Sequence, residues 1–108
     1  MAVVELTGAD NGRSIRVHPD DEIVVRLPEN PTTGFRWEIE RADPIVALVG
    51  DDFELGRPGL VGAGGTHEFR FMAAGSYGSG SLSLKLRQAW EGDASVTDRF
   101  SVDLVVEA

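Results

Sequence analysis

From Glu22 onward, the apolar residues of this chain fall on alternate positions, in runs cut by glycine, proline or paired aspartate. Ile23, Val25 and Leu27 form one such row, with Glu22, Val24 and Arg26 opposing it. Phe35, Trp37 and Ile39 alternate with Arg36, Glu38 and Glu40; His67, Phe69 and Phe71 alternate with Thr66, Glu68 and Arg70. Leu82, Leu84 and Leu86 share a face against Ser81, Ser83, Lys85 and Arg87, and Phe100, Val102, Leu104 and Val106 oppose Arg99, Ser101 and Asp103. A period of two places every apolar side chain on one face of an extended strand, whereas a helix needs a period near 3.6. The chain therefore reads as all-β, with seven to nine strands. Shorter runs at Val3–Leu6 and Ile15–Val17, the apolar stretch Ile45–Val49 and an edge segment Asp51–Gly56 complete the set. One-sided strands bury their apolar faces by packing two antiparallel sheets about 10 Å apart, with the connections gathered at the two ends.

At 108 residues the expectation is a single domain spanning 1–108, without internal repeat or linker. No apolar run is long enough to cross a bilayer as a helix, so no membrane role is read. The formal charge of −8 argues against nucleic-acid backbones, which call for clustered Lys and Arg. The chain has no cysteine, which excludes disulfides, thiolate metal sites and thiol nucleophiles. Met1-Ala2-Val3-Val4-Glu5 has neither a basic region nor an apolar core with a cleavage site. No secretory leader is read in it, leaving a cytoplasmic protein or one whose leader has been removed.

The stretch Asn30-Pro31-Thr32-Thr33-Gly34 separates two of the cleanest strands. Pro31 fixes its own φ and pushes Asn30 away from helical geometry. Thr32 and Thr33 are stiff at χ1, and Gly34 can take a positive φ where the chain turns into the next strand. The result is a rigid projecting loop with two hydroxyls; an ordinary strand connection would use similar residues. Two further connections are unusual. Gly62-Ala63-Gly64-Gly65 exposes backbone with almost no side chains, open to hydrogen bonding by another main chain. Trp90 lies between Gln88-Ala89 and Glu91-Gly92, outside any alternating run, and is either an interface anchor or a ring folded back over the sandwich end.

Catalytic and metal readings are weak. His18 and His67 are the only histidines, and no Gly-x-Ser-x-Gly nucleophile elbow is present. Asp20-Asp21-Glu22 and Asp51-Asp52-Glu54 lack the spacing of a calcium loop and read as charged residues at solvated strand ends. The Gly62–Gly65 segment lacks the Lys and Ser/Thr of a phosphate-binding loop. No cofactor is called for. Protein–protein binding remains.

Asn30-Pro31-Thr32-Thr33-Gly34-Phe35, Gly62-Ala63-Gly64-Gly65-Thr66 and the Trp90 turn, in this order, resemble the chagasin family of cysteine-peptidase inhibitors. The likeness runs along nearly the whole chain, down to Asp98-Arg99-Phe100. The third motif departs: the family usually carries Arg-Pro-Trp, and here Gln88-Ala89 precede Trp90, with Arg87 one position early. The resemblance implies an immunoglobulin-like β-sandwich, a monomer when free, that reversibly inhibits papain-like cysteine proteases with a three-loop wedge. It implies that the Pro31–Gly34 tip enters the catalytic cleft, Gly62–Gly65 lines one side through its backbone, and Trp90 packs on the other. Two rivals remain in view: an immunoglobulin-like adhesion or scaffold module, and a hydrolase built on His67 with a nearby Ser and Asp.

Overall fold

The computed structural model describes residues 2–30, 33–55, 64–88, 90 and 92–107. They form eight strands: β1 (Val3–Thr7), β2 (Ser14–Val17), β3 (Glu22–Glu29), β4 (Phe35–Ala42), β5 (Val46–Leu55), β6 (Gly65–Ala73), β7 (Gly78–Gln88) and β8 (Asp98–Val106). Two four-stranded sheets result, ordered β1-β3-β6-β5 and β2-β8-β7-β4. The short strands β1 and β2 run parallel to β3 and β8; the other pairings are antiparallel. This is the two-sheet sandwich that the alternation called for, in the immunoglobulin-like form that the family resemblance implies.

The inward faces are the alternating rows. Ile23, Val25 and Leu27 of β3, Phe69 and Phe71 of β6, Leu82 and Leu84 of β7, and Phe100, Val102 and Leu104 of β8 are all buried in one core. Trp37 of β4 joins them, donating its indole N–H to the Pro28 carbonyl at 2.9 Å. That bond crosses from one sheet to the other directly beneath the β3–β4 connection.

Two strands differ from the sequence expectation. Val46–Val49 of the apolar run and Asp51–Leu55 of the edge segment belong to one strand, β5, with a register shift between Leu48 and Gly50; Gly56 lies outside the described residues. A bulge inserts a residue without ending the pairing, so the glycine at 50 marks a kink in one edge strand and not a break between two. β3 also runs two residues past Leu27, through Pro28 and Glu29. Its partner β1 ends opposite Arg26, so Pro28 lies where that side of β3 is already an edge and a missing N–H is tolerated.

One aspartate read as solvated, Asp21, is instead buried. It accepts the backbone N–H groups of His18 (2.8 Å) and Ala2 (2.9 Å), which hold its carboxyl below the usual aspartate range. On the outer face of the first sheet, Glu68 receives Arg70 Nε at 2.6 Å and Arg26 Nε at 3.0 Å. These hydrogen bonds, Arg70's first, lower the Glu68 carboxyl below its ordinary value. A depressed carboxyl stabilises the fold above its unfolded value, about 4.3, and that contribution is lost as pH falls through the folded value. Glu68→Gln should therefore lose stability at neutral pH and show a shallower decline of urea midpoint below about pH 4 than the parent. Equal acid slopes for the two proteins would remove Glu68 from the account.

Candidate functional site

Strand order and register decide which connections meet. The β3–β4 connection passes from one sheet to the other. It is flanked by the β5–β6 connection, a hairpin of the first sheet, and the β7–β8 connection, a hairpin of the second. At the strand ends, Glu29 pairs with Gly65 and Gly65 with Leu55, so the first two connections leave from adjacent strands. Phe35 pairs with Gln88, which sets the third against the other side of the first.

Within the first loop Thr33 is a brace. Its hydroxyl donates to the Asn30 carbonyl at 2.8 Å and accepts the Phe35 N–H at 3.2 Å, and its own N–H reaches the same Asn30 carbonyl at 3.2 Å. One β-branched side chain thereby closes the turn from both directions. Gly34 follows with φ +78°, the left-handed geometry that a side chain strains. The indole of Trp90 lies directly against it: a Cβ on Gly34 would collide with Trp90 Cη2 and sit 2.8 Å from Cζ3.

Trp90 is 69% exposed, so it is not folded into the core; one part of its ring rests on Gly34 and the rest faces solvent. Gln88 extends its amide to the Thr33 carbonyl, at 3.4 Å, tying the third connection to the first a second time. The third connection is itself closed by Ser95, whose hydroxyl accepts the Gln88 N–H (2.9 Å) and donates to the Gln88 carbonyl (3.2 Å). Ser95 ends a 3-10 turn, Gly92–Ser95, that sequence periodicity does not reveal.

On the other flank, Gly64 lies beside the first loop, where a Cβ would meet the Glu29 carbonyl at 3.4 Å and Asn30 Cβ at 3.7 Å. Gly65 opens β6 and has no room for a side chain. Asn30, Thr33, Gly34, Phe35, Gly64, Gly65 and Trp90 are thus brought to one end of the molecule. Pro31, Thr32, Gly62 and Ala63 lie outside the described residues. Arg87 is placed differently: its guanidinium forms a two-pronged pair with Glu38 of β4, Nε–Oε1 2.6 Å and Nη2–Oε2 3.0 Å. It supports the sheet under the third connection.

Sequence reading did not single out Glu29 as a site residue. It is 3% exposed, accepts the Trp37 backbone N–H at 2.6 Å, and approaches His67 Nδ1 at 3.1 Å. The signal was present: Glu29 continues the inward row of Ile23, Val25 and Leu27, and His67 continues that of Phe69 and Phe71. Two ionisable groups at the same end of two paired inward rows have to meet.

Gly34→Ala follows directly from the Trp90 contact. The added methyl would put a non-glycine residue in left-handed geometry, costing about 1 kcal/mol of stability, and displace the exposed Trp90 ring from its seat on Gly34. The expected protein is folded, with altered Trp90 fluorescence and binding of its partner weakened about tenfold. A folded variant that binds as well as the parent would remove the Gly34–Trp90 contact from the site.

A loop that crosses between two sheets, with a hairpin of one sheet on one flank and a hairpin of the other sheet on the other, closes one end of this β-sandwich. Residues 16–104 match the family described as Chagasin family peptidase inhibitor I42. Chagasin of Trypanosoma cruzi is 30% identical over 105 residues, covering 93% of this chain and 94% of that protein. The crystal structure of the cysteine protease inhibitor EhICP2 from Entamoeba histolytica superposes with a TM-score of 0.87 at 24% identity, over 99% of this chain and 97% of that one. PbICP-C, solved in complex with falcipain-2, shares the fold at a TM-score of 0.61 and 10% identity, over 97% of this chain and 89% of that one. The chain belongs to the chagasin family of peptidase inhibitors.

Proposed function

We infer that this protein is a reversible inhibitor of papain-like cysteine peptidases that fills the catalytic cleft with three adjacent loops. The observation that carries the reading is the junction of Gly34 with Trp90, which joins two motifs 56 positions apart into one exposed surface (90 − 34). In this reading the Pro31–Gly34 tip enters the cleft near the peptidase's cysteine and histidine, Gly62–Gly65 offers backbone groups along one wall, and Trp90 packs against the other. A loop already closed by Thr33 loses little conformational freedom on binding, which raises affinity. Thr33 then contributes by holding the tip in shape, with its hydroxyl spent within the loop.

The same reading makes the chain a ligand of the peptidase and not an enzyme. A hydrolase built on His67 is disfavoured because the ring is 4% exposed and both its nitrogens face carboxylates, with neither directed at a serine. The test is a titration of active papain with the protein, followed with a fluorogenic peptide substrate. Tight, stoichiometric, reversible inhibition is expected. No inhibition of papain or of a cathepsin-L-like peptidase at micromolar protein would overturn the reading.

A further inference from the structure

The inhibitory loops stand on a buried polar chain that the binding surface does not use. The His67 ring stacks on Phe69, centroids 4.2 Å apart, with the Phe53 ring edge-on at 6.5 Å. Its Nδ1 is 3.1 Å from Glu29 Oε1 and its Nε2 is 2.7 Å from Asp51 Oδ2. Glu29 Oε1 also accepts the Trp37 N–H, while Oε2 is buried with no hydrogen-bond partner among the described residues. Among the described residues, the charged groups bonded to the ring are Glu29 from β3 and Asp51 from β5; its ring neighbours, Phe53 of β5 and Phe69 of β6, are uncharged.

A neutral imidazole has one N–H and one lone pair, so it can donate to only one of two ionised carboxylates. The doubly protonated ring donates to both. Position makes this consequential. Glu29 immediately precedes Asn30, and its register partner Gly65 ends the second connection. Asp51 lies on β5, the strand that leads into that connection.

We propose that Glu29, His67 and Asp51 form a protonation-dependent clamp that fixes Gly64 and the start of β6 at Gly65 against Glu29 and Asn30, making them positioning residues for peptidase binding. When the ring loses a proton, one of its two contacts becomes lone pair against lone pair. The Glu29 side chain is 1% exposed and cannot turn to water, whereas that of Asp51 is 50% exposed and can. The neutral ring therefore keeps its hydrogen on Nδ1 and releases Asp51, and the pairing of β5 with β6 loosens beside His67, four residues before the Leu55–Gly65 pair.

The consequence for affinity rests on the inhibitor reading above, but the clamp can be followed in the free protein. In a pH titration by two-dimensional amide NMR, the Gly64 and Gly65 signals should share one inflection with the His67 ring, and Gly75 at the opposite end should not. In Asp51→Asn, a half-exposed substitution that removes one of the two carboxylates, the Gly64 and Gly65 signals should no longer follow the His67 ring. The ratio of papain inhibition constants, variant to parent, cancels the peptidase's own titration and should change about fivefold across the parent's inflection, the effect of one hydrogen bond. A ring titration that leaves Gly64 and Gly65 flat, or a ratio constant with pH, overturns the clamp. Failure of the parent to inhibit papain overturns the inhibitor reading instead, and the amide titration still decides the clamp.

Discussion

Trp90→Ala should leave the sandwich intact and weaken peptidase inhibition by about 1–3 kcal/mol, roughly five- to 150-fold. The two halves of that expectation come from the same observation. Trp90 is 69% exposed and rests on a glycine, so folding buries little of it, and its removal should move the urea midpoint by no more than an exposed substitution does, about 0.5 kcal/mol. A large rigid ring held in place by Gly34, with its remaining surface bare, is suited to burial by a partner. The measurement is a pair: inhibition of papain, and denaturation of the free variant. Unchanged inhibition would remove Trp90 from the binding surface. Weakened inhibition together with a collapsed midpoint would mean that the ring supports the fold instead.

Gly65→Ala should act the other way round, on stability first. Gly65 sits between Glu29 of β3 and Leu55 of β5. A Cβ there would collide with the Glu54 carbonyl oxygen and lie 2.8 Å from Phe53 Cζ and 2.9 Å from the Glu54 carbonyl carbon. The obstacle is mostly backbone of the neighbouring strand, which cannot move without parting β5 from β6. Overpacking of this kind costs about 1–3 kcal/mol. Gly50, in the same β5 strand, is the internal control: nothing lies within 4 Å of a Cβ built on it, so Gly50→Ala should be close to neutral. Equal denaturation midpoints for the two variants would show that the β5–β6 junction yields more easily than its geometry indicates. If Gly65→Ala is destabilised as expected, its inhibition should also fall, because the displaced backbone carries the start of the second loop.

Much of the architecture was legible from residue order. The rows Ile23-Val25-Leu27, Phe69-Phe71, Leu82-Leu84 and Phe100-Val102-Leu104 became the inward faces of the two sheets because a period of two permits no other orientation. The kink in β5 was not legible, since an apolar run ended by Gly50 reads equally well as the end of a strand. The engagements of Asp21 and Asp51 were hidden for a related reason. Sequence places Asp21 and Asp51 next to turns and edges but does not show that Asp21 caps two backbone N–H groups or that Asp51 reaches His67.

By itself, then, the sequence determined an all-β sandwich, the stiff turn chemistry of Asn30 to Gly34, and the three motifs shared with the chagasin family. These are local properties, set by alternation, restricted dihedrals and residue type. Only the tertiary structure decided that Trp90 lies outward on Gly34, that Thr33 spends its hydroxyl inside its own loop, that Arg87 is committed to Glu38, and that Glu29 and His67 are buried together beneath the first two loops. Apart from the bonds of Thr33 within its own loop, each of these is a contact between strands or loops distant in the chain. Their geometry depends on sheet order and register, which no local pattern encodes.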